Sequence, residues 1–222
     1  MRAFDNLGEQ VHGPGQHWPD YLDPDVERML GDVRDAEAVR KAVRGCDRVV
    51  HLAAMVGVGQ SMYEIDRYTD VNNRGTAVLM EVLAKQPVAK LVVASSMSIY
   101  GEGLYRDARG TLHHDIRRSA EQLKLHRWEP MGPDGEKLEP VATTESKCPD
   151  LASVYALSKY DQEKMCLICG GAYGIPTVAL RFFNVYGPRQ ALSNPYTGVL
   201  AIFASRMLNG KPPLIFEDGY QQ

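Results

Sequence analysis

Short apolar runs alternate along this chain with segments whose apolar residues recur at helical spacing. The short runs predict strands at 2–6, 26–31, 47–52, 90–94 and 177–181. The helical spacing predicts helices at 35–43, 61–85 and 153–172. Because strands that alternate with helices are typical of βαβ units, the pattern predicts an α/β protein with a parallel sheet, in which the 47–52 strand is buried.

Composition excludes several classes of protein. Lys and Arg number 25 against 28 Asp and Glu, and the net charge of -3 argues against a dedicated nucleic-acid or anionic-membrane surface. No apolar run approaches ~18 residues, and Met1–Asn6 lacks the apolar stretch of a signal peptide. The sequence therefore predicts a cytoplasmic protein with neither a nucleic acid nor a membrane as partner.

The thiols and imidazoles do not form a metal-binding pattern. The four cysteines are Cys46, Cys148, Cys166 and Cys169. The last two form a CxxC inside an apolar helical stretch, which indicates packing more than zinc or redox chemistry. His113 and His114 lie in a charged segment, where solvated surface is the favoured interpretation and a metal site the remote one. We therefore predict no metal centre.

Tyr155 and Lys159 are the strongest chemical signal. They lie four residues apart, so on the predicted helix both side chains share one face. A free tyrosine titrates near pH ~10, and a nearby positive charge stabilises its phenolate and lowers that pKa. The pair predicts a tyrosine that acts as a base. The spacing alone is weak evidence, since it occurs by chance in roughly one chain in two or three of this length.

Four segments in this order make the signal specific: Val49–Ala54, Val92–Gly101, Tyr155–Lys159 and Leu180–Arg189. Together they resemble the extended short-chain dehydrogenase/reductases, in particular the NAD-dependent nucleotide-sugar epimerases and dehydratases. The resemblance runs from Ala3 to the last residues. It implies a Rossmann-like doubly wound parallel sheet, with residues 1–181 as the NAD-binding domain and 182–222 as the start of a smaller C-terminal substrate lobe.

The same resemblance implies that the chain is a fragment. Family members open with a strand and a Gly-x-x-Gly-x-x-Gly turn, whose amides bind the dinucleotide pyrophosphate. Here the chain begins within the second strand, so this first βα unit is missing. It also stops at 215–222, before the elements that complete the substrate lobe.

The family assigns the NAD-binding residues position by position. Asp5 matches the carboxylate that accepts the adenosine ribose hydroxyls and repels a 2′-phosphate, which favours NAD over NADP; an Asp5 that merely caps a turn is the alternative. Asp32 matches the residue that pairs with the adenine edge, whereas Asp35 is expected to cap the next helix. The cofactor residues implied by the resemblance are Asp5, Asn6, Asp32, Val33, Leu52, Ala53, Ala54, Asn72, Tyr155 and Lys159.

The family also assigns the reacting groups. Ser96, Tyr155 and Lys159 match the catalytic set, in which Ser96 binds the reacting sugar oxygen and Lys159 holds the nicotinamide ribose. The substrate residues implied are Ser96, Asn184, Thr197, Gly198 and Phe216, for a UDP- or dTDP-hexose. Dehydratases carry Asp-Glu directly after the catalytic hydroxyl. Met97 and Ser98 stand there instead, which disfavours dehydration.

The resemblance thus predicts 4-epimerisation of a nucleotide diphosphate sugar through a transient 4-keto intermediate. A nucleotide-sugar dehydrogenase or reductase, and an inactive fragment that acts at most as a binding module, are the alternatives. The family dimerises through the two long helices, so a homodimer is expected. Apolar residues at helical spacing on these helices are Val78, Leu79, Val82, Met165 and Ile168.

Residues 102–149 form a stretch rich in charge, proline and glycine, about twice as long as family members need. It predicts a surface insertion over the sugar site, with a helical turn or two at 117–124. A solvated flap and a substrate-selecting lid are both open interpretations.

Overall fold

The computed structural model describes residues 1–190 and 198–220. The strands are β1 Arg2–Asp5, β2 Glu27–Leu30, β3 Arg48–His51, β4 Lys90–Ser96, β5 Leu104–Arg106, β6 Leu112–His113, β7 Glu139–Val141 and β8 Thr177–Phe182. The α-helices are α1 Glu9–His12, α2 Ala36–Val43, α3 Val58–Ser61, α4 Ile65–Tyr68, α5 Gly75–Lys85, α6 Ala120–Lys124, α7 Val154–Ala172 and α8 Val199–Leu208. Within the described ranges, none of these helices is long and apolar enough to cross a membrane.

Parallel pairing organises the main strands, which confirms the predicted fold class. β3, β4 and β8 form one sheet in that order, and β1 pairs with β2 in a second. All three pairings are parallel. In the larger sheet Ser95 lies opposite Arg181 and Ser96 opposite Phe182, so the polar ends of β4 and β8 meet at one edge.

Helix α7 packs on the larger sheet, and α5 packs against α7 and contributes side chains to the same core. Side chains of the buried core include Leu79, Leu83, Leu91, Val93 and Cys166. The prediction that strand 47–52 is buried is wrong for most of its residues, because four of the six are exposed. His51 is buried, whereas Val50 on the other face of the same strand is 61% exposed. Successive side chains of a strand point to opposite faces, and only one face here lies against this core.

A cavity of about 650 Å³ lies between β1 and β3. These strands belong to separate sheets and do not pair with each other. Arg2 of β1 donates to the Ala42 carbonyl at 2.6 Å and lies 3.7 Å from Cys46 Sγ, so the starts of β1 and β3 lie at the same end of the cavity. The two strand edges therefore border an interruption in the sheet.

The helix predicted at 61–85 is divided. Helix α3 ends at Ser61, α4 begins at Ile65, and a π-helical turn at Thr69–Arg74 leads into α5. The buried Asn72 lies in that turn, and its side chain bonds both the amide and the carbonyl of Met55, at 2.7 and 3.1 Å. A π-helical turn widens a helix locally and is frequent at functional sites. Periodicity alone does not reveal such a turn.

The insertion has structure of its own. Its strands form an antiparallel sheet in the order β6-β5-β7, and α6 confirms the helical turns predicted within 117–124. Lys147, 2% exposed, donates from Nζ to the Tyr100 carbonyl at 2.7 Å, which anchors the end of the insertion near Ser96. Arg118 donates to both carboxylate oxygens of Glu217 at 2.9 Å, which joins the insertion to the C-terminal segment.

Candidate active site

Helix α7 positions Tyr155 and Lys159. The helix begins after Ser153, whose hydroxyl accepts the Ala156 amide at 3.0 Å as an N-cap. In its first turn the Tyr155 amide donates to Ser61 Oγ at 3.0 Å, which ties the helix to α3. Tyr155 is 9% exposed and Lys159 3% exposed. Both side chains are therefore held inside the protein.

Ser96 ends strand β4 and meets the phenol of Tyr155. Its Oγ accepts the Ser98 amide at 3.1 Å, and its hydroxyl lies close enough to the phenol of Tyr155 to lower the pKa of that group. Burial raises the pKa of Tyr155, and the Ser96 hydroxyl only partly opposes this rise. Because burial dominates in the protein alone, a phenolate near neutral pH requires a further positive charge beside the ring.

Lys159 follows Tyr155 by one turn of α7, but its charge is not among the causes that shift the pKa of Tyr155. Burial lowers the pKa of Lys159 from 10.5 to about 8, so the ammonium stays protonated at neutral pH. Its Nζ donates to Gln162 Oε1 at 2.7 Å. Gln162 is fully buried, and nothing in the sequence analysis singled it out.

Asn72 links the π-helical turn to α7. Its Nδ2 donates to Ser158 Oγ at 2.9 Å, one residue before Lys159. The Ser158 hydroxyl in turn donates to the Tyr155 carbonyl at 2.9 Å. The amide of Asn72 thus supports the backbone that carries the phenol and the ammonium, between α7 and the loop at Met55.

The residues assigned to the adenosine side of the cofactor lie around one cavity. The lining of the cavity between β1 and β3 includes Asp5, Asn6, Asp32, Val33, Leu52, Ala53 and Ala54. Asp5 Oδ1 accepts the Leu7 amide at 2.8 Å, which is the turn-capping role considered for it. This bond uses one carboxylate oxygen, so capping and ligand binding are compatible at Asp5.

Asp32 is held by a partner that the sequence analysis missed. Arg34 donates to it from Nε and from a terminal nitrogen at 2.8 and 2.7 Å, and Asn6 donates at 3.2 Å. The bond from Arg34 is the main reason that the pKa of Asp32 is far below its usual range. Arg34 also pairs with Asp70, which joins the cavity rim to the π-helical turn. The sequence feature that could have shown this pairing is an arginine two residues after Asp32.

A second missed group stabilises the catalytic edge of the sheet. Glu163 of α7 accepts from Ser95 Oγ at 2.7 Å and pairs with Arg181 at 2.7 Å. Burial raises the pKa of Glu163, but the bonds from Arg181 and Ser95 outweigh it and the net shift is downward. Arg181 also donates to the Tyr100 hydroxyl at 2.9 Å. Because Ser95 and Arg181 are opposite each other in the sheet, Glu163 fixes both strands behind Ser96.

The residues assigned to the substrate are more open. Asn184 is exposed in the segment after β8, and Phe216 is 73% exposed. Gly198 precedes α8, and a Cβ placed on it would lie 3.6 Å from the Val185 carbonyl, so the start of α8 borders the Asn184 segment. Thr197 lies outside the described residues. The structure thus brings Asn184 close to the start of α8.

The histidine pair predicted as surface contributes one member to a polar cluster. Ligand atoms of Asp107, His113 and Glu136 lie within 4.8 Å of one another. Asp107 already accepts the amides of Arg109 and Thr111, each at 2.9 Å, so its carboxylate closes the turn before β6. These contacts indicate that the cluster stabilises a turn in the insertion.

A parallel sheet whose edge carries a buried serine, packed against a helix that carries a buried tyrosine and lysine, defines a Rossmann-like protein of the short-chain dehydrogenase/reductase type. The chain belongs to the NAD dependent epimerase/dehydratase family, whose model matches residues 2–120 and 129–222.

Individual relatives agree with this assignment. A dTDP-L-rhamnose 4-epimerase of Burkholderia thailandensis is 33% identical over 98% of this chain and 60% of its own length. The solved UDP-glucose 4-epimerase of Thermotoga maritima with UDP-glucose matches 98% of this chain and 58% of its own, with 27% identity and a TM-score of 0.74. The UDP-glucose 4-epimerase of Thermus thermophilus in complex with NAD matches 96% of this chain and 64% of its own, with 27% identity and a TM-score of 0.65. The chain therefore spans about three fifths of the length of these relatives.

Proposed function

We propose that this chain carries the catalytic part of an NAD-dependent nucleotide-sugar 4-epimerase. The observation that supports this most is the burial of Ser96, Tyr155 and Lys159 together, with the Ser96 hydroxyl close to the phenol of Tyr155 and Lys159 one helical turn after it. The names of the relatives agree with this activity.

The residues present fit NAD. The cavity between β1 and β3 has small side chains, Ala53 and Ala54, on one side and the carboxylates of Asp5 and Asp32 on the other. Small side chains allow close approach to a cofactor, and a carboxylate suits ribose hydroxyls and opposes a 2′-phosphate. When bound, NAD supplies a hydride acceptor and a positively charged ring. We expect Lys159 to hold its nicotinamide ribose and Asp5 the adenosine ribose.

The chain's own groups then account for proton movement. Ser96 binds the C4 oxygen of the sugar and aligns it with Tyr155, whose phenolate removes the hydroxyl proton. Lys159 stabilises that phenolate by its charge. With NAD bound to accept the C4 hydride and return it to the other face of the 4-keto sugar, Tyr155 would give the proton back to the C4 oxygen, and the epimerisation would consume no redox equivalent. Met97 and Ser98 offer no acid after Ser96, which opposes dehydration.

The substrate proposed is a UDP- or dTDP-hexose. Helix α8 spans ten residues, and its N-terminus beside Asn184 favours the negative charge of a diphosphate. We assign Thr197 and Gly198 to the same diphosphate region and Phe216 to the base. The relatives include both a dTDP-L-rhamnose and a UDP-glucose 4-epimerase, so both substrates belong in the assay.

We further propose that residues 102–149 act as a lid and that residues 182–222 begin the substrate lobe. The paired bonds of Arg118 to Glu217 tie the insertion to the residue after Phe216, which favours a lid over a detached flap.

A cytoplasmic homodimer is the proposed assembly. Among the apolar residues expected at the dimer face, Leu79 and Val82 face the core instead, and Val78 and Met165 pack partly against it. Ile168 is 68% exposed and remains available on α7. A monomeric mass by light scattering would contradict the dimer.

The test of function uses a chimera in which the Burkholderia thailandensis relative supplies the segments flanking its match to this chain. We expect the chimera to convert UDP-glucose or dTDP-L-rhamnose into its 4-epimer, measured by NMR, without accumulation of absorbance at about 340 nm from NADH. Accumulating NADH would support the dehydrogenase alternative. Neither product nor NADH, from a folded chimera, would support the inactive fragment.

A further inference from the structure

A chain of buried polar groups runs from the π-helical turn to Lys159. The Thr76 hydroxyl donates to the Asn72 carbonyl at 2.6 Å, and Gln162 Nε2 donates to Thr76 Oγ1 at 2.7 Å. Gln162 Oε1 accepts from Lys159 Nζ at 2.7 Å. Asn72, Thr76 and Gln162 are fully buried, and Lys159 is 3% exposed. Three different elements are thereby connected without solvent.

The direction of the Gln162 amide follows from its neighbours. An ammonium group can only donate, so the oxygen of the amide must face Lys159. The amino group of Gln162 then faces Thr76, whose single hydroxyl proton goes to the Asn72 carbonyl and whose oxygen is left to accept. Every contact requires the same orientation. The orientation of the amide is therefore fixed by both neighbours. Its oxygen accepts a hydrogen bond from one of the three N–H groups of Lys159 in a defined direction.

The titratable groups around Lys159 are either uncharged at neutral pH or paired with one another, so Lys159 itself carries the positive charge of the cluster. His51 of β3 lies 2.9 Å from Thr76 Oγ1, and burial, followed by the charge of Lys159, lowers the pKa of His51 to about 3. On α7, burial raises the pKa of Cys166 to about 12, and burial also raises the pKa of Tyr155. At neutral pH His51, Cys166 and Tyr155 are thus uncharged. Glu163, one residue after Gln162, is paired with Arg181.

We propose that Gln162 is a positioning residue for Lys159, which fixes the direction of its ammonium through the relay from Asn72 and Thr76. The inference deepens the proposed epimerase function and rests on it for its catalytic meaning. A long side chain loses much rotamer freedom when its ammonium is held in one place. Because Gln162 provides a fixed acceptor, this entropy is lost before any ligand binds. A Lys159 without this acceptor would be buried with an unsatisfied donor.

The test measures the pKa of Lys159 directly, by NMR of the lysine side chain in the 222-residue protein without substrate. Gln162→Glu keeps the shape and places a carboxylate against the ammonium, so the pKa of Lys159 should rise by roughly 1 to 3 units. Gln162→Leu removes the acceptor, so the pKa of Lys159 should fall below that of the wild type. Thr76→Val removes the acceptor of the Gln162 amino group, so the amide is less firmly oriented. The pKa of Lys159 should then fall by less than in Gln162→Leu.

Gln60→Leu is the matched control. Gln60 is a second buried glutamine, bonded to Glu64 and Tyr68 instead of Lys159, so its loss should leave the pKa of Lys159 unchanged. If Gln162→Leu does not fold, the opposite shift in Gln162→Glu still decides the matter. The same pKa of Lys159 in wild type and Gln162→Glu would overturn the proposal. Because no turnover is measured, an inactive chimera would sink the proposed function and leave this result standing.

Discussion

The two halves of the candidate site differ in how completely the protein has built them. On the catalytic side, Ser96, Tyr155 and Lys159 are buried and held by neighbours on α7, α5 and the sheet. On the cofactor side, Asp5 and Leu52 are exposed at the rim of a cavity between two unpaired strand edges. The candidate catalytic residues are thus fixed by internal packing, whereas the candidate cofactor residues lie around an open cavity. The two functions should respond separately to mutation.

The largest effect is expected at the base. In the chimera, Tyr155→Phe removes the proton acceptor and keeps the ring, so kcat should fall by about 10²- to 10⁴-fold while NAD remains bound. Tyr160→Phe on the same helix is the matched control and should keep full turnover. Near wild-type turnover in Tyr155→Phe, with NAD still bound, would show that another group is the base.

The affinity for NAD should depend on the strand and turn that the chimera supplies. The 222-residue chain is expected to bind NAD weakly or not at all, and the chimera to bind it at least ~100-fold more tightly, because backbone amides at a glycine turn carry pyrophosphate recognition. Calorimetry with both proteins measures the difference. Equal micromolar affinity for the two would mean that the described cavity binds NAD by itself.

The buried ammonium should make stability depend on pH. The pKa of Lys159 is 10.5 in the unfolded chain and about 8 in the folded one, so below both values folding carries the full cost of burying the charge. As pH rises from 8 to 10.5 the unfolded state binds more protons, and the wild type should gain on the order of 3 kcal/mol relative to Lys159→Met.

Urea unfolding at several pH values checks this gain. Lys164→Met, an exposed position on the same helix, should show no such pH-dependent difference from the wild type. A stability gap between wild type and Lys159→Met that stays constant from pH 8 to 10.5 would contradict a lowered pKa at Lys159.

A smaller loss is expected at the hydroxyl. Ser96→Ala removes one hydrogen bond to a charged oxygen and leaves the base, so kcat in the chimera should fall by about 10- to 100-fold. If both groups act on one proton path, Tyr155→Phe/Ser96→Ala should lose less than the product of the single losses. Ser98→Ala serves as the control. If the double mutant loses the full product of the two single losses, Tyr155 and Ser96 act independently.

Sequence reasoning succeeded where a local pattern carries the information. Apolar runs and helical spacing located the five parallel strands and helices α2, α5 and α7, and Asp35 caps α2 as expected, accepting the Glu37 and Ala38 amides. The spacing of Tyr155 and Lys159 also predicted their common face. These features depend on residues close in the chain, so the pattern of side chains determines them.

It failed where distant segments decide the outcome. In the π-helical turn Asn72 bonds to Met55, 17 residues earlier in the chain, and α7 brings Gln162 against Thr76. Neither contact leaves a periodic signal. The downward shift expected for the pKa of Tyr155 likewise depends on a ligand charge, since burial alone moves it upward.

The most direct test of the proposed reaction follows one hydrogen atom. The chimera is supplied with UDP-glucose or dTDP-L-rhamnose deuterated at C4, and the 4-epimer is analysed by NMR and mass spectrometry. Hydride that leaves and returns within the closed site predicts deuterium retained at C4 of the product, with no deuterated cofactor released. Exchange of that deuterium for solvent hydrogen would contradict the account, because the C4 hydrogen would then have left as a proton.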